Sequence, residues 1–259
     1  MEIRQAGIVG SGKLAAMVYR KIQDSGIRAV WIEASAPDAS ELSILRDCQF
    51  VLEAVSDQRP DKIRVLQLLE EALPSQTLLT ASVSPSLSVT ELASPLRNPE
   101  RLVGLHFVLQ SNRDNLVEVV QSLQCCDTAY LQVYEFMKAV GQVPIRCKDV
   151  PGLLVNRLFV PYMNHAIQAY DDGLASGEDL DTAVELGLGY PMGPLKLADT
   201  VGLNEYLDTA SSLYQELHET KYAPPPLVKK MVNAGFHGKK TGRGFYDYSS
   251  SNEDKGKSV

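Results

Sequence analysis

The sequence predicts an α/β fold: a doubly wound, mostly parallel sheet over roughly the first 150 residues, then a smaller all-α domain. Three observations carry that expectation. A short apolar strand at the N-terminus runs directly into a glycine-rich turn and a helix. Strand-like and helix-like segments then alternate as far as Asp149. Beyond Asp149 strand signals stop and long helical patterns take over,. The expected boundaries are 1–148 for the sheet domain, 149–248 for the helical domain and 249–259 for a polar, disordered tail.

Ala6 to Val9 is the first strand, and Gly10-Ser11-Gly12-Lys13-Leu14-Ala15 follows it. This GxGxxA pattern is a variant of the dinucleotide fingerprint of Rossmann-type domains. Gly10 permits the tight turn, Gly12 lets backbone approach a pyrophosphate, and Ala15 lets helix and strand pack closely. The helix carries Leu14, Met17, Val18 and Ile22 on one side and stops at Gly26. Its first N–H groups, at Ser11, Lys13 and Leu14, are candidates to meet phosphates. The second strand, Ala29 to Ile32, ends in Glu33, about 20 residues past the glycines, where an acid binds a ribose 2′-hydroxyl. A carboxylate there repels a 2′-phosphate, so NAD is expected over NADP. An ordinary βαβ unit with a surface glutamate is the weaker alternative.

A short polar connection leads to a third strand, Cys48 to Val55, with Glu53 at its C-terminal end. Ligands of open α/β sheets gather at that end. Pro60 to Leu73 reads as an amphipathic helix, Thr77 to Ala81 as a fourth strand, and Ser88-Val-Thr-Glu91 as a capping box,. Two apolar runs follow, separated by a polar loop from Gln110 to Asn115. The first holds His106 and the second, Leu116 to Val120, holds Glu118. A carboxylate between valines is expensive to bury unless it is paired. An imidazole on the neighbouring strand would pair it and become a general base near neutral pH. From these two residues alone, a satisfied core histidine is the commoner case. Asp127 is placed to cap a helix from Thr128 to Val140, and Gln142 to Arg146 is the last strand.

In the second domain Leu153 to Tyr170 is mostly apolar, with Asn156 near its start and Pro161 in its middle, where a kink is expected,. Ser176 caps a helix from Glu178 to Leu186. The turn Gly187 to Pro194, a helical stretch to His218 and a helix after Pro224-Pro-Pro226 complete the pattern.

A net charge of −7 gives no electrostatic case for nucleic acid or an anionic membrane surface,. No apolar run is long enough to span a membrane, and the N-terminus lacks the basic and apolar blocks of a secretory signal,. Cys48, Cys125, Cys126 and Cys147 have no CxxC spacing. They read as reduced thiols of a cytoplasmic protein, with no metal site.

The stretches RLVGLHF, LVEVV, CKDVPGLLVNRLFVPY, GLGYPMGPLKLADTVGL and GKKTGRGFYDY occur in this order. Together they resemble the 3-hydroxyacyl-CoA dehydrogenase family, of the L-3-hydroxybutyryl-CoA type, over nearly the whole chain to Tyr248. The resemblance implies a Rossmann-type domain with a helical, dimerising C-terminal domain, and reversible oxidation of a 3-hydroxyacyl thioester by NAD. It makes His106 the acid/base and Glu118 its partner. It makes Asn156 a substrate contact and Lys240 a cofactor contact, and it sets Glu53 near the nicotinamide.

Three stretches depart from the family's pattern. The family reads SNTSSL before the capping-box helix. Counted back from the histidine, the serine that contacts the reacting oxygen falls on Pro85, which offers neither hydroxyl nor N–H,. Ser84 and Ser86 are the candidates to stand in. The family's HFFNP is here His106-Phe-Val-Leu-Gln110. The long basic hairpin that helps hold CoA has no room between Glu33 and Glu53, where Asp38, Glu41 and Asp47 outnumber Arg46. These departures leave two alternatives open: a hydroxyacyl group on an acyl carrier protein or a free hydroxy acid as substrate, and an NAD-binding dimer with weak or lost catalysis.

Overall fold

The computed structural model describes residues 3–73, 78–84, 87–108 and 115–249. Pro85, Ser86, Gln110 and the tail beyond Ser249 lie outside the described residues. The chain divides after Leu154 into two compact units.

The first unit is built on seven strands: β1 (Gln5–Gly10), β2 (Arg28–Ile32), β3 (Phe50–Ala54), β4 (Leu79–Val83), β5 (Leu102–Phe107), β6 (Leu116–Gln121) and β7 (Val143–Lys148). Their spatial order is β2-β1-β3-β4-β5-β6-β7. Every neighbouring pair is parallel except β5 and β6. The connecting helices are α1 (Lys13–Asp24), α2 (Ala39–Leu42), α3 (Arg59–Ala72), α4 (Val89–Ala93) and α5 (Asp127–Ala139). This is the doubly wound Rossmann-type arrangement the alternating pattern predicts.

Strand alternation divides the core between two faces. Ala6, Ile8, Phe50, Leu52, Val103, Leu105, Val117 and Val119 pack with α1 and α5. On the other face Val9 and Val51 pack with α2 and α3, and Leu102 and Val120 with α4. Alternation therefore directs Glu53, His106 and Glu118 to this second face. Gly7 also lies there, and Leu45 sits so close that a Cβ on Gly7 would be 2.9 Å from its Cδ2. The short β2–β3 connection thus folds its own apolar residues, Leu42 and Leu45, fully against the sheet.

The boundary falls later than the composition change because residues 149–154 belong to the first unit. The Asp149 carboxylate accepts from Ser88 Oγ at 2.8 Å and from the Val89 and Thr90 amides at 3.1 and 2.7 Å. Leu153 is buried in the apolar cluster of Leu66, Val89 and Leu92. The expected capping box is half formed. Ser88 Oγ accepts from the Glu91 amide, while the Glu91 carboxylate pairs with Arg59. At α5 the N-cap is Cys126, whose Sγ accepts from the Ala129 amide, and not Asp127.

The second unit packs α6 (Val155–Asp171), α7 (Gly177–Thr182), α8 (Pro194–Val201), α9 (Leu203–Leu217) and α10 (Pro226–Asn233) around Val160, Met163, Ile167, Leu195, Tyr206 and Val228. Pro161 lies inside the continuous helix α6. Two fully buried aspartates explain the glycine-rich motifs. Asp181 accepts from the Leu195 and Lys196 amides at the start of α8, and a Cβ on Gly193 would fall 2.3 Å from it. Asp199 accepts from the Phe245 and Tyr246 amides and the Tyr248 hydroxyl, against Gly244. Burial pushes the Asp199 carboxyl up from the ordinary aspartate range.

Among the described residues no helix is long and apolar enough to cross a membrane. Replacing Leu45 with Ala should destabilise the first unit by about 2–4 kcal/mol, the usual cost of emptying a packed leucine site. Urea unfolding followed by circular dichroism checks this, and a loss under about 1 kcal/mol would show that the site collapses without strain.

Candidate active site

The antiparallel step between β5 and β6 sets His106 directly opposite Glu118. Side chains of directly opposed residues emerge on the same face and meet. The Nδ1–Oε2 distance is 2.6 Å. Glu118 is fully buried, and its other oxygen accepts from the Leu154 amide at 2.8 Å. Nδ1 faces a carboxylate, so Nδ1 carries the proton in the neutral ring and Nε2 keeps its lone pair. The His106 side chain remains 12% exposed, enough for a reactant to reach it. This is a base held in one tautomer by a buried acid.

β1, β3, β4 and β5 run parallel, so their C-terminal ends share one edge of the sheet. Gly10, Glu53, Val83 and His106 all lie toward that edge. Gly10 has φ +141°, and a Cβ there would strike the Ala54 carbonyl oxygen at 2.1 Å. Gly12 is the N-cap of α1, with φ 92° and ψ −175°, a region that only glycine enters readily,. A Cβ there would meet no protein atom within 4 Å. No side chain caps α1, so its leading amides are open to an anion. Ser11, Gly12 and Lys13 are exposed, while Leu14 packs on the core. Glu33 follows β2 and is exposed, and the indole of Trp31, two residues earlier, donates to the Gly10 carbonyl at 2.8 Å. The residues present thus fit a dinucleotide: an open glycine cradle, an uncapped helix and an acid at the next strand.

Glu53 requires a correction. It lies one residue before the end of β3, but its side chain is fully buried, so its carboxylate is not presented at the surface. Lys62 Nζ binds both its oxygens at 3.0 and 3.2 Å, the Val55 amide donates at 2.7 Å, and Ser82 Oγ donates to Oε2. Burial pushes its carboxyl up, against the pull of the Lys62 ammonium. Ser84 is buried and its Oγ accepts from the Leu87 amide. Ser86, the other stand-in, lies outside the described residues. In the second unit Asn156 is buried in the first turn of α6. Lys240 is half exposed and ion-paired with Glu205 of α9.

Two residues escape the sequence reading. Lys62 lies on the same helix face as Val65, Leu66 and Leu69, all buried, and a lysine in that register was its signal. Asp149 had only its place after a strand. Among the described residues no cluster of ligating side chains could hold a metal ion.

Comparison with known proteins identifies the family of both units. Residues 34–150 match the 3-hydroxyacyl-CoA dehydrogenase NAD-binding domain, and residues 152–248 match the C-terminal domain of the same family. A 3-hydroxybutyryl-CoA dehydrogenase of Clostridioides difficile is 39% identical over 244 residues, 92% of this chain and 86% of that one. The chain belongs to the 3-hydroxyacyl-CoA dehydrogenase family. The human mitochondrial hydroxyacyl-coenzyme A dehydrogenase is 37% identical over 220 residues, 83% of this chain and 68% of that protein. The crystal structure of (S)-3-hydroxybutyryl-CoA dehydrogenase from Ralstonia eutropha superposes with a TM-score of 0.88 at 30% identity, over 96% of this chain and all of that one. The cofactor of this family's N-terminal domain is NAD.

Replacing Gly12 with Ala forces a side chain into backbone that costs about 1–3 kcal/mol for other residues. NADH affinity, read by fluorescence titration, should fall about tenfold or more. Unchanged affinity would show that the turn does not contact the cofactor.

Proposed function

We propose that the protein is an NAD-dependent oxidoreductase that interconverts a 3-hydroxyacyl thioester and its 3-oxoacyl form, with CoA as the carrier. The single observation behind this is the buried His106–Glu118 pair on the sheet whose C-terminal edge carries the open glycine turn. Membership of the family supplies the reaction class.

NAD, held at Gly10, Gly12 and the leading amides of α1, would supply the acceptor for the hydride that leaves the hydroxyl-bearing carbon. His106 Nε2 takes the hydroxyl proton as that hydride departs, and the ring becomes an imidazolium. Glu118 offsets the new charge at 2.6 Å and prevents the ring from turning,. In the reverse direction the same nitrogen returns the proton. On the family's motifs, Asn156 donates to the oxygen that becomes the carbonyl, and Lys240 contacts the cofactor. Glu33, exposed at the end of β2, binds the ribose 2′-hydroxyl, and Ser11, Lys13 and Leu14 supply amides to the pyrophosphate,.

A homodimer through the helical unit is proposed as well. It is supported by Leu158, Leu174, Leu186 and Leu188, which are 67%, 81%, 82% and 64% exposed,. The four cysteines are unpaired, in keeping with a reducing cytoplasm.

One observation favours a second reading of the carrier. The β2–β3 connection is a single turn of α2 and a 3₁₀ turn, and its exposed charges are Asp38, Glu41 and Asp47 against Arg46. Such a surface does not attract the phosphates of CoA, so an acyl carrier protein or a free hydroxy acid is the alternative substrate.

NADH oxidation on adding acetoacetyl-CoA, followed by absorbance, is the test. Turnover is expected. NADH binding without turnover would move the substrate to a carrier-tethered or free acid, or leave a binding protein with lost catalysis. Replacing His106 with Gln should lower kcat by about 10²–10⁴-fold, and an unchanged rate would remove it from the chemistry. Titration with both cofactors should favour NADH over NADPH through Glu33, and equal affinities would contradict its assignment.

A further inference from the structure

The Glu53–Lys62 ion pair has no place in the chemistry above, yet it sits at the sheet edge where the cofactor turn lies. We propose that Glu53, Lys62 and Ser82 are positioning residues for the cofactor site, holding the backbone at the ends of β3 and β4 in the shape that receives NAD, a role that rests on the dehydrogenase reading.

The pair is fully buried on both sides. Buried ion pairs are weak sources of stability, because desolvation offsets attraction, and apolar residues often replace them without loss. What apolar residues cannot replace are the bonds this pair makes to the main chain. Glu53 Oε1 accepts from the Val55 amide at 2.7 Å and so fixes the Ala54–Val55 peptide. That peptide is the surface on which Gly10 rests: a Cβ on Gly10 would lie 2.1 Å from the Ala54 oxygen and 2.9 Å from the Val55 nitrogen. Lys62 Nζ, besides its two bonds to Glu53, donates to the Val83 carbonyl at 2.6 Å. Val83 ends β4 and precedes Ser84. Ser82, opposite Glu53 in the β3–β4 register, donates to its second oxygen.

All three ammonium protons and both carboxylate oxygens are therefore engaged. The bonds run from the seat of the glycine turn to the exit of β4. A shell that holds a site's backbone sets affinity by preorganisation: small displacements cost binding, and no direct contact is needed.

The test uses the full chain and a readout independent of turnover. Trp31 is the sole tryptophan, and its indole is bonded to the Gly10 carbonyl, so quenching of its fluorescence reports NADH at the turn. The double variant Glu53→Gln/Lys62→Met removes both buried charges while keeping an acceptor for the Val55 amide. Its thermal midpoint should stay near that of the parent. Its NADH Kd should rise about tenfold and its kcat at saturating NADH should stay within about threefold. Ser82→Ala keeps the ion pair but frees one carboxylate edge, and should raise Kd about threefold. If the double variant does not fold, Ser82→Ala decides alone. Parent-like Kd values in the folded variants would overturn the proposal and leave the pair a core feature. A parent protein that binds no NADH would instead overturn the dehydrogenase reading.

Discussion

A carboxylate that folding removes from water must be compensated, and much of the first unit is arranged around doing so for Glu118. Stranded between valines on β6, an interior strand, it would cost several kcal/mol if left unpaired,. The antiparallel turn of direction between β5 and β6 brings His106 opposite it, and the chain leaving β7 returns the Leu154 amide to its other oxygen. The same constraint that satisfies the core fixes the imidazole's tautomer. Structure and chemistry are here one requirement: the acid is affordable in the core only because the base is beside it.

The same face of the sheet repeats this logic at two further acids. Glu53 is compensated by Lys62, Ser82 and a backbone amide, and Asp149 by the Ser88 hydroxyl and two amides at α4. Each acid ties a strand to another segment, Glu53 toward the edge that carries the glycine turn and Asp149 past the end of β7 at the opposite edge. In the helical unit Asp181 and Asp199 do likewise without a cation, through amides and tyrosine hydroxyls. Buried acids, each with its own set of donors, pin the loops that the helices and strands leave free.

What the sequence made legible was local. The GxGxxA turn reads directly because its glycines answer backbone geometry within six residues, and the fold sets Gly10 and Gly12 in conformations other residues avoid. The His106–Glu118 pairing was legible because a buried carboxylate demands a partner and period-two alternation limits where it can be. Lys62 was not legible, since its value depends on Glu53 and Val83, which reach it only in three dimensions. For the same reason the position of Glu53 along its strand is legible, while the burial of its carboxylate against Lys62 is not. Cys126 displaced Asp127 as the α5 cap because the start of a helix depends on where the preceding loop sets the chain. Asp149 closed the sheet unit later than composition suggested, through bonds to α4 some sixty positions away.

The central claim is that His106 and Glu118 act as one unit. A double-mutant cycle in NADH-linked reduction of acetoacetyl-CoA tests it most directly, using His106→Gln, Glu118→Gln and the pair together. Groups that act as a unit are strongly non-additive. The account predicts that the double variant loses about as much kcat as His106→Gln alone. Losses that multiply, or a Glu118→Gln variant with the parent rate, would contradict it.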